Sequence, residues 1–300
     1  MTNLTTIEIE DRKEITKTKK IKTTEIEVPS VPVIFLTYNR LEYTKKALEA
    51  LLKTVYPIRI FIWDNASTDG TQEWLRSMEK KHSNISVMFS SLNQGLNKPI
   101  NVFLRENKSA EFIAKVDNDT IVEPYWLCHL MTVMLEKPEM DAVGAYMQRP
   151  PGSAGSFQQW VDSDFMRKVD FYSKINPIGS YHTTLAYCAY CGGTGVLIRM
   201  RMFKEMGLLW EGYKSMQGDL TCMFRLRSKN GTLDNVAWYS GTTVKLLNIK
   251  IDGVELSDDY PEYDKELNAY RDAGNKWYVE NGGPAGIQKL IDSQGGRERL

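Results

Sequence analysis

The sequence predicts an α/β protein built on a doubly wound, mostly parallel sheet flanked by helices. Three observations carry this. Apolar runs and amphipathic stretches alternate four times between Val31 and Val116, the pattern of βαβ units with right-handed crossovers. The runs are apolar almost throughout, as strands buried on both faces are. Polar residues collect just behind the runs, as in Thr37-Tyr-Asn-Arg40, Asp64-Asn-Ala-Ser-Thr-Asp-Gly70 and Asp117-Asn-Asp119. In open α/β sheets that edge is where ligands bind.

Each element follows from its own residues. Val31 to Leu36 is a continuous apolar run and reads as the first strand. Leu41 to Lys53 carries a helical stripe of Ala47, Leu48, Leu51 and Leu52. A second strand spans Ile58 to Trp63, a helix Thr71 to Lys81, and a third strand Ile85 to Ser90. Asn93-Gln-Gly-Leu-Asn97 is a turn leading into a helix at Pro99 to Asn107, and Phe112 to Val116 is the fourth strand. A helix opens at Pro124-Tyr-Trp126 and runs to Glu136, and Asp141 to Met147 suits a further strand. Residues 148–180 lose all periodicity and read as a long loop, either a lid or a surface insertion. Cys191-Gly-Gly-Thr-Gly leads into a strand, Phe203 to Gly207 is a short helix, and another helix starts at Leu220. Residues 1–29 form an extension without Trp, Tyr or Phe. An acidic stretch follows Lys250, and Gln288 to Leu300 is expected to fray.

Composition excludes several classes. Lys+Arg and Asp+Glu are both 38, so no global field favours nucleic acid or an anionic membrane. No apolar run approaches the roughly 18 residues of a membrane span. The N-terminal stretch has no apolar signal core, so a cytoplasmic protein is the expectation. The cysteines Cys128, Cys188, Cys191 and Cys222 include one C-x-x-C pair but no second pair for zinc, and read as reduced and structural. There is no G-x-G-x-x-G after the first strand and no P-loop, which disfavours a dinucleotide dehydrogenase and a P-loop NTPase.

The chemistry concentrates in Asp117-Asn118-Asp119. In an extended segment, residues two apart face the same way. Two adjacent carboxylates repel unless a cation or a donor lies between them. The pair suits a hard divalent ion such as Mg2+ or Mn2+, its shell completed by water and phosphate oxygens. The alternative is a plain Asx turn closing a strand.

Strand–TYNR–helix, strand–DNASTDGT, NQGLNKPIN and strand–VDNDT, in this order, resemble the nucleotide-sugar half of a family 2 glycosyltransferase of the GT-A fold. The resemblance covers about residues 31–235. It implies a GT-A domain over 30–250, with a donor half at 30–147 and an acceptor half at 148–250, and a C-terminal extension at 251–300. It further implies that Thr37, Tyr38 and Asn39 line the nucleoside pocket and that Asp64 accepts a hydrogen bond from the base. Asp117 would bind ribose or a metal-bound water, and Asp119 the metal at the diphosphate. Asn93, Gly95 and Asn97, with Lys98 and Asn118, would border the donor, and Gly192 and Gly193 would lie beside its sugar. A plain turn with a helix cap accounts for Asn93 to Asn97 equally well.

In the acceptor half Asp219, Arg225 and Gly231 fall in register with the family, while Gly218 replaces the usual Glu and Thr221 a second Asp. Asp219 is then the general base, or simply a helix cap. Trp210 would stack on a sugar or belong to the core. The His that many relatives place after the base is missing between Leu233 and Ile251, where Lys245 stands. The implied reaction is metal-dependent, inverting transfer from a nucleoside-diphosphate sugar, UDP-sugar first and GDP- or dTDP-sugar after it. Its acceptor is not named by any motif. The alternatives are a retaining transferase on the same fold and a non-catalytic nucleotide-sugar-binding module.

Overall fold

The computed structural model describes residues 4–5, 25–26, 28–148, 167–171, 183–187, 193–213, 218–227, 235–247, 269, 272–274 and 276–300. Leu4–Thr5 (β1) and Glu25–Ile26 (β2) form a separate two-stranded antiparallel pair. The domain proper begins with β3 (Val31–Thr37), all seven residues of which are buried. Then come α1 (Leu41–Leu51), β4 (Ile58–Asp64), α2 (Thr71–Lys81), β5 (Ile85–Phe89), α3 (Asn97–Glu106) and β6 (Phe112–Asp117). These match the expected elements to within about two residues at each end, the ordinary scatter of helix and strand termini.

The sheet order is β5-β4-β3-β6, then β11 (Val196–Arg199), β8 (Ala142–Gln148), β12 (Val236–Leu246), β10 (Thr183–Tyr187) and β9 (Arg167–Phe171). The first four strands are mutually parallel. The second half is mixed: β11 runs antiparallel to both neighbours and β12 runs parallel to β8. The chain winds outward from β3 through β4 to β5, then returns to place β6 on the other side of β3. That reversal is a topological switch point, and it leaves a crevice at the carboxyl ends of β3 and β6.

Helices cover both faces. α1, α2 and α4 (Trp126–Glu136) bury Leu48, Leu75, Trp126 and Leu130 against one face. α3, α5 (Arg201–Met206) and α6 (Gly218–Arg227) bury Phe103, Phe203 and Phe224 against the other. Asp141 anchors the second layer from below. Fully buried at the foot of β8, it accepts hydrogen bonds from Arg201 of α5 at 2.6 Å, from Arg227 of α6, and from Asn235 at 3.1 Å. One carboxylate thereby fixes two helices and a strand.

Three parts differ from the expectation. Within residues 148–180, read as a loop, Arg167–Phe171 is strand β9, held at the sheet edge by pairing with β10. β12 has no counterpart in the sequence reading. Its pairing with β8 shifts register between Tyr239 and Thr243, and beyond the shift it also pairs with β7 (Thr120–Val122), placing Leu246 opposite Thr120. Ser240-Gly-Thr-Thr243 at the bulge erases any alternation in the sequence. The C-terminus is also not a fraying end. α7 (Gly283–Ser293) buries Ile287 and Ile291 with Tyr213 and Cys222, and the last residues pack against α5. Cys222 lies inside this contact, where burial and then the Asp219 carboxylate push its thiol up to about 12. Iodoacetamide labelling read by mass spectrometry is expected to modify Cys222 only after unfolding; labelling in the native state would show the contact open. Cys188, Cys191, Gly231 and most of the 148–180 loop lie outside the described residues.

Candidate functional site

The carboxyl ends of β3, β4 and β6 converge on one rim, and direct hydrogen bonds knit their loops together. Asn39, in the left-handed conformation at φ 52°, donates its backbone N–H to Ser67 Oγ at 2.7 Å and accepts the Thr68 N–H on Oδ1 at 2.8 Å. The β3 loop is thereby tied to the β4 loop. Asn118 donates Nδ2 to the Asn39 carbonyl at 3.2 Å and to Thr44 Oγ1 at 3.0 Å, which ties the end of β6 to the β3 loop and to α1. Asn39 Oδ1 and Asn118 Nδ2 thus serve loop geometry.

Asp64 is fully buried at the end of β4. Its Oδ2 accepts the Ser67 N–H at 2.9 Å and Gln72 Nε2 at 2.7 Å, while Oδ1 has no partner among the described residues. Thr37 Oγ1, at the neighbouring strand end, is likewise buried without a partner there. Unsatisfied buried polar atoms are costly and uncommon, so two on adjacent strand ends mark a place prepared for a polar ligand. Tyr38 lies between them in sequence and is half-buried.

The turn before α3 is organised by Asn65, whose place in the motif carried no assigned role. It accepts Trp63 Nε1 and the Gln94 N–H, each at 3.0 Å, and donates to the Gly95 carbonyl at 3.0 Å. Asn93 Oδ1 accepts the Gly95 N–H at 2.9 Å in an Asx turn. Asn97 is buried and bonds to residues far along the chain: Nδ2 donates to the Trp210 carbonyl at 3.0 Å and Oδ1 accepts the Asp219 N–H at 3.1 Å. Lys98 is exposed in the first turn of α3.

Two carboxylates stand at the end of β6, each facing a basic side chain. Arg40 Nη1 approaches Asp119 Oδ2 at 3.3 Å. Lys115, on the same strand face as Asp117, donates to Asp117 Oδ1 and to the Gly193 carbonyl. Thr194 Oγ1 accepts the Asp117 N–H at 2.9 Å, which brings the glycine-rich turn against β6. Burial first, then the Asp117 carboxylate, raise the Asp119 carboxyl above the ordinary range, against the pull of Arg40 and Lys115. Among the described residues no group of three or more His, Cys, Asp or Glu side chains converges. Asp117 and Asp119 still suit a divalent ion: their oxygens are hard, they crowd each other, and Mg2+ commonly takes one or two protein carboxylates with phosphate and water. Gly192 lies outside the described residues.

The Gly195 backbone runs against β12. At φ +62°, a Cβ there would meet Val244 Cγ1 at 2.7 Å. Gly195→Ala combines overpacking with a strained backbone and is expected to cost about 1–3 kcal/mol, read as a lower denaturation midpoint. An unchanged midpoint would mean that β12 yields at no cost.

Asp219 sits in the first turn of α6, fully buried. Its Oδ2 accepts the Trp210 N–H at 2.6 Å, and Arg297 grips both oxygens, Nη2 reaching Oδ1 at 2.9 Å. Arg297 belongs to the C-terminal strap, whose place against Asp219 no motif or periodicity announces. Glu298 accepts the Leu208 N–H at 2.8 Å, and its side chain pairs with Arg105 at 2.7 Å. A Cβ on Gly207 would meet the Glu298 carbonyl at 2.7 Å, so the strap lies directly on that residue. Gly218, where the resemblance calls for Glu, has φ +65°, a conformation natural to glycine and costly for Glu. Trp210 packs against Trp277, with ring centroids 6.3 Å apart, in the aromatic cluster that includes Tyr213. Lys245 is exposed on β12 opposite Ile121.

The model described as Glycosyl transferase family 2 matches residues 33–207, more than half of the chain. An uncharacterized glycosyltransferase of Haemophilus influenzae is 26% identical over 121 residues, 40% of this chain and 37% of that protein. The chain therefore spans little more than a third of that relative's length. TarS 1–349 of S. aureus in complex with UDP-GlcNAc superposes with a TM-score of 0.54 at 22% identity, covering 80% of this chain and 64% of that one. The mannosyltransferase PcManGT of Pyrobaculum calidifontis, in complex with GDP-Man and Mn2+, gives 0.55 at 14% identity, over 89% and 80%. GalNAc-T7 with UDP, GalNAc and Mn2+ gives 0.57 at 13% identity, over 84% and 56%. At these identities the likeness is one of fold, and that fold is GT-A.

Proposed function

Because the chain belongs to glycosyl transferase family 2, we propose that it transfers a sugar from a nucleoside-diphosphate donor, UDP-linked first, to an acceptor hydroxyl with inversion. One observation carries the reading. Asp64 Oδ1 and Thr37 Oγ1 are buried without partners among the described residues, at the carboxyl ends of β4 and β3, on the rim that also carries Asp117 and Asp119. A base that donates N–H to Asp64, with its diphosphate running towards Asp117 and Asp119, satisfies the orphaned atoms and places negative charge beside Arg40 and Lys115. The solved neighbours whose descriptions name UDP-GlcNAc, UDP and GDP-Man support a nucleotide donor.

Asp117 and Asp119 would hold Mn2+ or Mg2+. When bound, such an ion takes up charge on the departing diphosphate. In the reaction, the bond from the anomeric carbon to the phosphate oxygen breaks as one forms from the acceptor oxygen on the opposite face. Asp219 accepts the hydroxyl proton, which requires an oxygen within hydrogen-bond reach of the acceptor and hence withdrawal of Arg297. That closure also favours a second reading, a nucleotide-sugar-binding module without catalysis. Among the described residues no helix is long and apolar enough to cross a membrane.

A thermal-shift screen of UDP, GDP, dTDP and their sugars, with and without Mn2+, tests the donor site. A ligand bound only by the folded state raises the melting temperature by mass action, by about 2.7 kcal/mol of stability at one hundred times Kd. A rise with one nucleotide, larger with Mn2+, is the expected result. No rise with any nucleotide would overturn the reading. Donor hydrolysis or transfer by the same sample separates the transferase from the binding module.

A further inference from the structure

Lys115 stands out before any function is considered. β6 is otherwise apolar up to Asp117, with Phe112, Ile113, Ala114 and Val116 all buried. Yet Lys115 lies in the strand's interior, its side chain 5% exposed. Lysine is almost never fully buried unless paired, because stripping water from an ammonium is expensive. Lys115 has two partners, both at the site: Asp117 Oδ1 and the Gly193 carbonyl. β6 is itself held by β3 on one side and β11 on the other, so the ammonium is anchored where it stands.

We propose that Lys115 is a positioning residue of the donor site, a built-in cation that orients Asp117 and holds the glycine-rich turn against it. The inference rests on the transferase reading of the site. Lys115, buried, takes Oδ1 of Asp117, whose side chain remains 30% exposed. Its charge has two opposite consequences. It competes with a divalent ion for Asp117, so metal binds more weakly than it would to two free carboxylates. It also supplies positive charge beside the diphosphate, so part of the nucleotide affinity survives without metal. The C-terminal half offers no His between Leu233 and Ile251 to add to the metal's ligands, and an internal ammonium offsets phosphate charge by another route.

Isothermal titration of wild type and Lys115→Met with Mn2+ alone, then with UDP and GDP in EDTA and in Mn2+, tests this. Removing the charge is expected to tighten Mn2+ binding about tenfold and to weaken metal-free nucleotide binding by a similar factor, within the ordinary range of coupling between neighbouring sites. A merely structural tether would lower the melting temperature and leave both affinities unmoved, or weaken both together. Either pattern in a folded variant overturns the proposal. Lys115→Gln keeps a donor for the Gly193 carbonyl and carries the same test if the Met variant does not fold. If wild type binds neither nucleotide, the donor reading fails, and the Mn2+ titration still decides whether Lys115 competes for Asp117.

Discussion

Asp219→Asn is expected to lower transfer by about 10²–10⁴-fold per folded molecule, the usual worth of a positioned general base, and to lower stability as well. The two effects have different origins. Asn keeps an oxygen for the Trp210 N–H, which the carboxylate binds at 2.6 Å. It removes the counter-charge of Arg297, whose side chain is 4% exposed beside a partner at 0%. Breaking one side of a buried pair costs about 3–5 kcal/mol, because the remaining charge is left uncompensated. Chemical denaturation gives the stability change, and donor turnover corrected for the folded fraction gives the rate. Arg297→Gln completes the comparison. It leaves the carboxylate in place and loosens the strap over Gly207, so a general base at Asp219 predicts that transfer survives there while stability falls. Equal stability losses with unchanged turnover in both variants would show a structural ion pair and remove Asp219 from the reaction.

This carboxylate also shows where reading the sequence stops. Its place at the start of a helix was legible, because Asp219 falls in register with Arg225 and an apolar segment follows. Its partner was not. Gly295-Gly-Arg-Glu-Arg-Leu300 has no periodicity, and its contacts join residues far apart in sequence, such as Arg297 with Asp219 and Glu298 with Arg105. α7 was hidden because only Ile287 and Ile291 are buried along it, among glycines that weaken a helical signal. β12 was hidden by its bulge. The parallel half could be read because its strands are mostly apolar: β3 is buried along its whole length, while β4 and β5 interrupt the run with exposed residues such as Arg59 and Ser86.

The rim at the carboxyl ends of β3, β4 and β6 falls between these cases. Asp64, Asp117 and Asp119 stood out because carboxylates at strand ends are conspicuous, and the structure brings the loops that carry them together. Asn39, Asn93 and Asn118 looked equally promising, yet their side chains are used in shaping the loops. Short polar side chains serve backbone groups as readily as ligands, and spacing alone does not separate the two uses. Lys115 did leave a signal: a charged residue inside an apolar run needs a partner, and the partner lies two residues on.

Asp119→Asn is the sharper test of what the rim is for, because stability and ligand response should move in opposite directions. Burial and the Asp117 carboxylate raise the Asp119 carboxyl above its ordinary range. For an acid the sign of that shift is definite: folding favours the protonated form, so the ionised carboxylate weakens the native state at neutral pH, and the loss is recovered as pH falls. Asn removes the charge and keeps an oxygen where Arg40 Nη1 now reaches Oδ2 at 3.3 Å. Asn leaves Arg40, 4% exposed, without this counter-charge, which offsets part of the gain, so the unliganded variant is expected to melt at or slightly above the wild-type temperature. Its additional stabilisation by nucleotide with Mn2+ should disappear, and donor turnover should fall by at least about 10²-fold, since electrostatic stabilisation of the leaving group is among the larger catalytic contributions. A carboxylate that costs stability while it binds no ligand is the expected signature of a functional site. If the variant instead melts lower and still responds to Mn2+ and nucleotide as wild type does, Asp119 is a structural partner of Arg40 and the metal lies elsewhere.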